Sequence, residues 1–184
     1  MRSKHVTEVF IRKNPFITMV ASAVEVYPKE CLGVLFGHRT QNTAIVEQAF
    51  CYQTAERTEY SVEVKDKEKE SCCKLLLEKL TSLELLGEFH SHPKGTTRLT
   101  SCDKRPDSMS IGNIEVVIAF SVKKEAVNWK YNRKELSGTL GDFGLNIAAY
   151  TCYRYRGKTK HEKISVSCPF ALDAYLSKIR HMCS

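Results

Sequence analysis

The chain has 184 residues, of which 42% are hydrophobic and 27% charged, with a formal net charge of +7. That length suits one domain spanning residues 1–184, able to bury enough apolar surface to fold without disulfides or metal, and the composition excludes wholesale disorder. Neither the first residues nor any later stretch stays apolar long enough for a secretory leader or a membrane span, so a cytoplasmic protein is expected.

Along the chain, Val6 to Ile11 predicts a strand, and Asn14 followed by Pro15 predicts the capped start of a helix. Phe16, Met19, Val20, Ala23, Val24 and Tyr27 then recur at helical spacing until Pro28 ends the run. CLGVLFG (Cys31 to Gly37), TAIVEQAFCYQ and EYSVEV have strand composition. From Lys67 to Leu80, a second helix is predicted by Cys72, Cys73, Leu76, Leu77 and Leu80, with Lys and Glu on its other face. LELLGEFH, IEVVIAFS (Ile114 to Ser121), AVNWKYN, NIAAYTCYRY and EKISVS predict further strands. Pro169 opens a last helix with Leu172, Tyr175, Leu176 and Ile179 on one side. The alternation implies an α/β fold: a mixed, partly antiparallel β-sheet packed with helices.

Eight scattered cysteines without a C-x-x-C pair read as buried or ordinary thiols rather than a zinc finger. Basic residues thicken from Lys123 to Lys134 and from Arg154 to Lys163. Both tracts read as strand pairs with solvated outer faces, so no nucleic-acid partner is expected.

The segment Leu86 to Asp107, LGEFHSHPKGTTRLTSCDKRPD, carries the chemistry. If it is extended, His90 and His92 point to the same side and can approach one point in space. Zinc takes imidazole and carboxylate ligands in a tetrahedron, and catalytic sites leave one position for water. Asp103 lies eleven residues after His92, beyond a loop of Pro, Lys, Gly and Thr that can turn the chain back. The residues alone leave a second possibility open, two histidines in ordinary polar contacts.

His90-Ser91-His92-Pro93, seven residues from Pro93 to Leu99, Thr100, two residues and Asp103 resemble the signature of the JAMM (MPN+) metalloprotease family. That signature is His-x-His, seven residues, serine, two residues and aspartate, with a glutamate far upstream before a strand. Glu30 in YPKECLGVLFG stands where that glutamate is expected. The match in element order covers most of the chain and implies the cytidine-deaminase-like MPN/JAMM fold. The resemblance implies Zn2+ held by His90, His92 and Asp103, lowering the pKa of its bound water, with Glu30 carrying the proton to the leaving amine. Thr100, where the family has serine, keeps a hydroxyl for the oxyanion on a more restricted side chain. Ser101 would replace it only if the loop were one residue out of register.

A buried partner for the second nitrogen of each imidazole is expected. Ser91 faces away from the ligands and is assigned no role, and Lys94 and Arg98 read as solvated charges. The implied substrate is an amide bond made by the C-terminal glycine of ubiquitin or a ubiquitin-like modifier, as in stand-alone archaeal or bacterial forms. A zinc hydrolase acting on a sulfur-carrier tail or small conjugate, and a non-catalytic MPN scaffold, are the alternatives. The oligomeric state is left open.

Overall fold

The computed structural model describes residues 6–104, 111–122 and 125–173. Tyr175, Leu176 and Ile179 of the expected last helix lie outside the described residues, as does Lys123 of the first basic tract. In chain order the elements are β1 (Glu8–Ile11), α1 (Lys13–Val26), β2 (Leu32–Arg39), β3 (Thr43–Cys51), β4 (Glu56–Arg57), β5 (Val62–Glu63) and α2 (Lys67–Thr81). They continue as β6 (Glu84–His92), β7 (Ile114–Val122), β8 (Lys130–Asn132), β9 (Glu135–Leu140), β10 (Phe143–Tyr155), β11 (Lys158–Ser167) and α3 (Pro169–Asp173).

Among the described residues nine strands share one sheet in the order β11-β1-β3-β2-β6-β7-β10-β9-β8. Three pairings are parallel, β1 with β3, β1 with β11 and β6 with β7; the others are antiparallel. The expected mixed sheet is therefore present. β11 also closes the sheet on itself: it pairs with β10 up to Ile164, then runs beside β1 from Ser165 to Ser167.

Strand alternation divides the side chains between two faces. On one face Val116, Ile118 and Phe120 of β7 and Leu145, Ile147 and Ala149 of β10 join the main core. Phe16, Met19, Val20 and Ala23 of α1 fill that core, as their helical spacing predicts. Phe16 is 1% exposed and meets Trp129 edge-on with ring centroids 5.2 Å apart, burial that contributes about 1.5–3 kcal/mol. On the other face Val117, Ala148, Tyr150 and Cys152 form a smaller cluster with Leu99. The histidine pair stands on this second face.

Three local expectations change. α1 begins at Lys13 after Arg12, two residues before Pro15, and no side chain caps it. Asn14 lies inside the helix. β9 completes a hairpin with β8 that ELSGTL had not suggested; Gly138 there leaves room for Trp129, whose ring atoms would lie 2.4 Å from an added Cβ. The largest change concerns α2, which spans the expected residues but buries none of them. Leu76 and Leu80 are 54% and 73% exposed. Its inner side is mixed: Leu77 packs against the cluster of Val34, Phe36 and Tyr52, while Lys74 Nζ donates to Glu70 and to Glu88, both at 2.7 Å, and Glu78 accepts from the Leu85 amide. Among the described residues no helix is long and apolar enough to cross a membrane.

Candidate metal centre

His90 and His92 end β6, and their equal parity turns both rings to the face opposite α1. They are 5% and 6% exposed. The outer nitrogens are engaged: His90 Nδ1 donates to Glu115 Oε1 at 2.6 Å and His92 Nδ1 donates to the Thr96 carbonyl at 2.8 Å. A carbonyl only accepts, so Nδ1 of His92 carries a proton and its Nε2 presents a lone pair when the ring is neutral. With His90 arranged likewise, the two Nε2 atoms face each other at 3.0 Å. Two lone pairs at that separation repel unless a proton or a cation lies between them.

Asp103 completes the group. One of its oxygens is 3.7 Å from His90 Nε2 and the other 3.6 Å from His92 Nε2. Ligand atoms around a tetrahedral zinc with bonds of about 2.0–2.1 Å stand roughly 3.3 Å apart, so the observed separations bracket that requirement. These three residues can hold a metal ion, with one ligand atom from each inside 4.8 Å of the others. Two borderline nitrogens and one carboxylate oxygen are a donor set that fits zinc.

The field agrees with the geometry. Burial works against a charge on His90, but its hydrogen bond to Glu115 and the nearby Glu115, Asp103 and Glu30 carboxylates raise its pKa to about 9. Burial would raise Asp103, yet His92, His90 and the Thr100 amide hold it well below the usual carboxylate range. The pocket is therefore built to contain positive charge.

Thr100 and Asp103 reciprocate like a helix capping box: the Thr100 amide donates to Asp103 Oδ2 at 2.6 Å, and the Asp103 amide donates to Thr100 Oγ1 at 3.4 Å. Thr100 is exposed. Glu30 precedes β2, is 8% exposed, and its amide donates to the Thr58 carbonyl at 2.8 Å. Burial pushes its pKa up, while both imidazoles pull it down. Glu30, His90 and Asp103 line one cleft of about 750 Å³, which continues past Glu88 to Leu85 and the inner side of α2. Lys94 is paired rather than merely solvated: it meets Glu59 and lies 5.6 Å from the centroid of Tyr60.

Two contributors were not read from the sequence. Ser91 has a structural part, because its hydroxyl accepts from the Cys31 amide at 2.8 Å and its own amide donates to the Cys31 carbonyl at 3.1 Å. That double link fixes the residue after Glu30 to the residue between the histidines. Glu115 is the buried partner of His90. Its signal was an acid in the second position of the otherwise apolar IEVVIAFS, since a carboxylate kept in such a strand needs a hydrogen-bonded partner.

A family model described as prokaryotic homologs of the JAB domain matches residues 13–132. Among solved structures the chain is similar to the solution structure of protein DSY2949 from Desulfitobacterium hafniense. The two are 18% identical with a TM-score of 0.57, over 86% of this chain and 92% of that one, a likeness of fold. No curated protein matches the sequence.

Proposed function

The chain belongs to the family of prokaryotic homologs of the JAB domain, and we propose that it is a zinc-dependent isopeptidase. Its proposed substrate is the amide bond at the C-terminal glycine of ubiquitin or a ubiquitin-like modifier, cut in the cytoplasm by a single domain. The observation that carries this reading is the pair of Nε2 atoms 3.0 Å apart beside the Asp103 carboxylate, with His90 and Asp103 lining the cleft that Glu30 shares.

Zinc bound there supplies a Lewis acid and brings the pKa of water towards neutral. Glu115 and the Thr96 carbonyl fix each imidazole with its proton on Nδ1, leaving both Nε2 atoms to ligate. Glu30 accepts the proton of the attacking water and delivers it to the departing amine; burial, which raises its pKa, suits it to both acts. Thr100 donates its hydroxyl proton to the developing oxyanion while its oxygen holds the Asp103 amide. The cleft running from His90 to Leu85 takes an extended chain segment, with Leu32 and Leu85 giving it apolar contact.

The complete ligand set weighs against a scaffold that lacks chemistry. A hydrolase acting on a sulfur-carrier tail or a small conjugate would use the same atoms, and the choice of substrate in the assay separates the two. The test joins metal analysis to hydrolysis of a ubiquitin-like conjugate, with and without a chelator, for the protein and for Glu30→Gln. Zinc retained and hydrolysis lost in Glu30→Gln is the expected result. A zinc-loaded protein that leaves every conjugate intact would leave the scaffold reading standing.

A further inference from the structure

The loop between His92 and Thr100 is exposed at Lys94, Gly95, Thr96 and Arg98 but turns Thr97 and Leu99 inward. Leu99 settles on Val117, Ala148, Tyr150 and Cys152. Thr97, only 6% exposed, is held by polar groups from three strands. Its hydroxyl donates to Glu135 Oε1 of β9 at 2.6 Å, and its carbonyl accepts from the Tyr150 hydroxyl of β10 at 3.0 Å. Lys163 of β11 pairs with the same Glu135 oxygen, reaches Thr97 Oγ1 at 3.5 Å, and lies 5.7 Å from the Tyr150 ring centroid.

The peptide unit that carries the Thr97 nitrogen also carries the Thr96 carbonyl, and that carbonyl accepts from His92 Nδ1. Anything that fixes Thr97 therefore fixes the acceptor that sets the proton and orientation of His92. Leu99, buried two residues later, leads into Thr100 and the turn that presents Asp103.

We infer that Glu135, Tyr150 and Lys163 form a clamp on Thr97 that positions two of the three metal ligands, His92 and Asp103. They touch neither metal nor substrate and are positioning residues. The inference rests on the reading of His90, His92 and Asp103 as a metal site, and it adds a reason for β11 to reach this part of the sheet.

The readouts are zinc affinity by chelator competition and the visible spectrum of the cobalt(II)-substituted protein, both independent of hydrolysis. Thr97→Val keeps the branched shape and loses the hydroxyl; we expect zinc to bind roughly tenfold or more weakly with the cobalt bands shifted, the scale of loss seen when groups that orient ligands are removed. Thr97→Ser restores affinity to within about twofold. Lys158→Ala, on the exposed part of β11, leaves both readouts unchanged. A folded Thr97→Val whose affinity stays within about threefold overturns the clamp, even if its melting temperature falls, as does a Thr97→Ser that fails to rescue. If Thr97→Val does not fold, Tyr150→Phe, which loses one hydroxyl, decides by the same threshold. Absence of zinc binding by the unaltered protein would remove the metal site together with the clamp. Weakened variants of a protein that cuts no conjugate would keep the clamp and remove only the peptidase.

Discussion

Replacing Glu115 by Gln removes a negative charge while keeping the side-chain shape and an oxygen that can still accept from His90. The Glu115 oxygen is 2.6 Å from Nδ1. Across the ring and a zinc–nitrogen bond of about 2.0 Å, that puts the lost charge roughly 7 Å from a dication on Nε2. Coulomb's law then gives about 5 kcal/mol at an effective dielectric of about 20 and about 1 kcal/mol at that of water. Glu88, the register partner of Glu115, stays in place with Lys74 beside it, so part of the local charge remains. We therefore expect a loss of about 1.5–3 kcal/mol, or roughly 10- to 100-fold in zinc affinity. Chelator competition at neutral pH measures it directly. An affinity within about twofold of the unaltered protein would refute the reasoning, because a full charge across so short a bond would then be without effect.

His90, with its pKa raised to about 9, holds a proton at neutral pH in the metal-free protein, and zinc must displace it. Calorimetry in buffers of different ionisation enthalpy should find about one proton released per zinc at neutral pH, with affinity rising as pH climbs towards 9 and levelling beyond it. In the metal-free protein that proton's contribution to stability is complete below the ordinary value of 6.5 and is lost as pH rises through about 9. Gly87→Ala should cost roughly 3 kcal/mol or more in urea unfolding. Its φ is +152° and an added Cβ would lie 1.8 Å from the Ile114 carbonyl oxygen, so ordinary stability would contradict the close approach of β6 and β7. A thiol reagent should label the exposed Cys72, Cys73 and Cys102 of the native protein and spare Cys31, which is fully buried with its pKa pushed up by burial to about 12. Rapid labelling of Cys31 would show that the segment behind Glu30 opens.

What the sequence made legible was periodicity and spacing. The α1 core face, the long strands and the shared side of His90 and His92 follow from rules that act over a few residues, whereas Asp103 as their third partner rests on the resemblance to the JAMM signature. Where the sequence misled, a distant partner decided. The leucines of α2 promised a buried face, but only Leu77 packs inward, beside a Glu70–Lys74–Glu88 network that takes up the rest of the helix's inner side. Glu115 could have been suspected, because an acid stands out in an apolar strand, yet only the β6–β7 register names His90 as its partner. Ser91 sits on the wrong side for coordination, and its link to Cys31 depends on a pairing sixty residues away.

β11, which hydrogen-bonds both β10 and β1, follows the other strands of the sheet in chain order among the described residues. Both histidines and Asp103 leave the exit tunnel well before it, while β1, synthesised first, must wait for Ser165 to arrive on its open side. Such far-separated pairings form slowly, so the nascent chain spends its growth with an unfinished ring and Thr97 without Lys163. A nascent chain short of β11 would thus carry all three ligands while one part of the clamp on Thr97 is still missing.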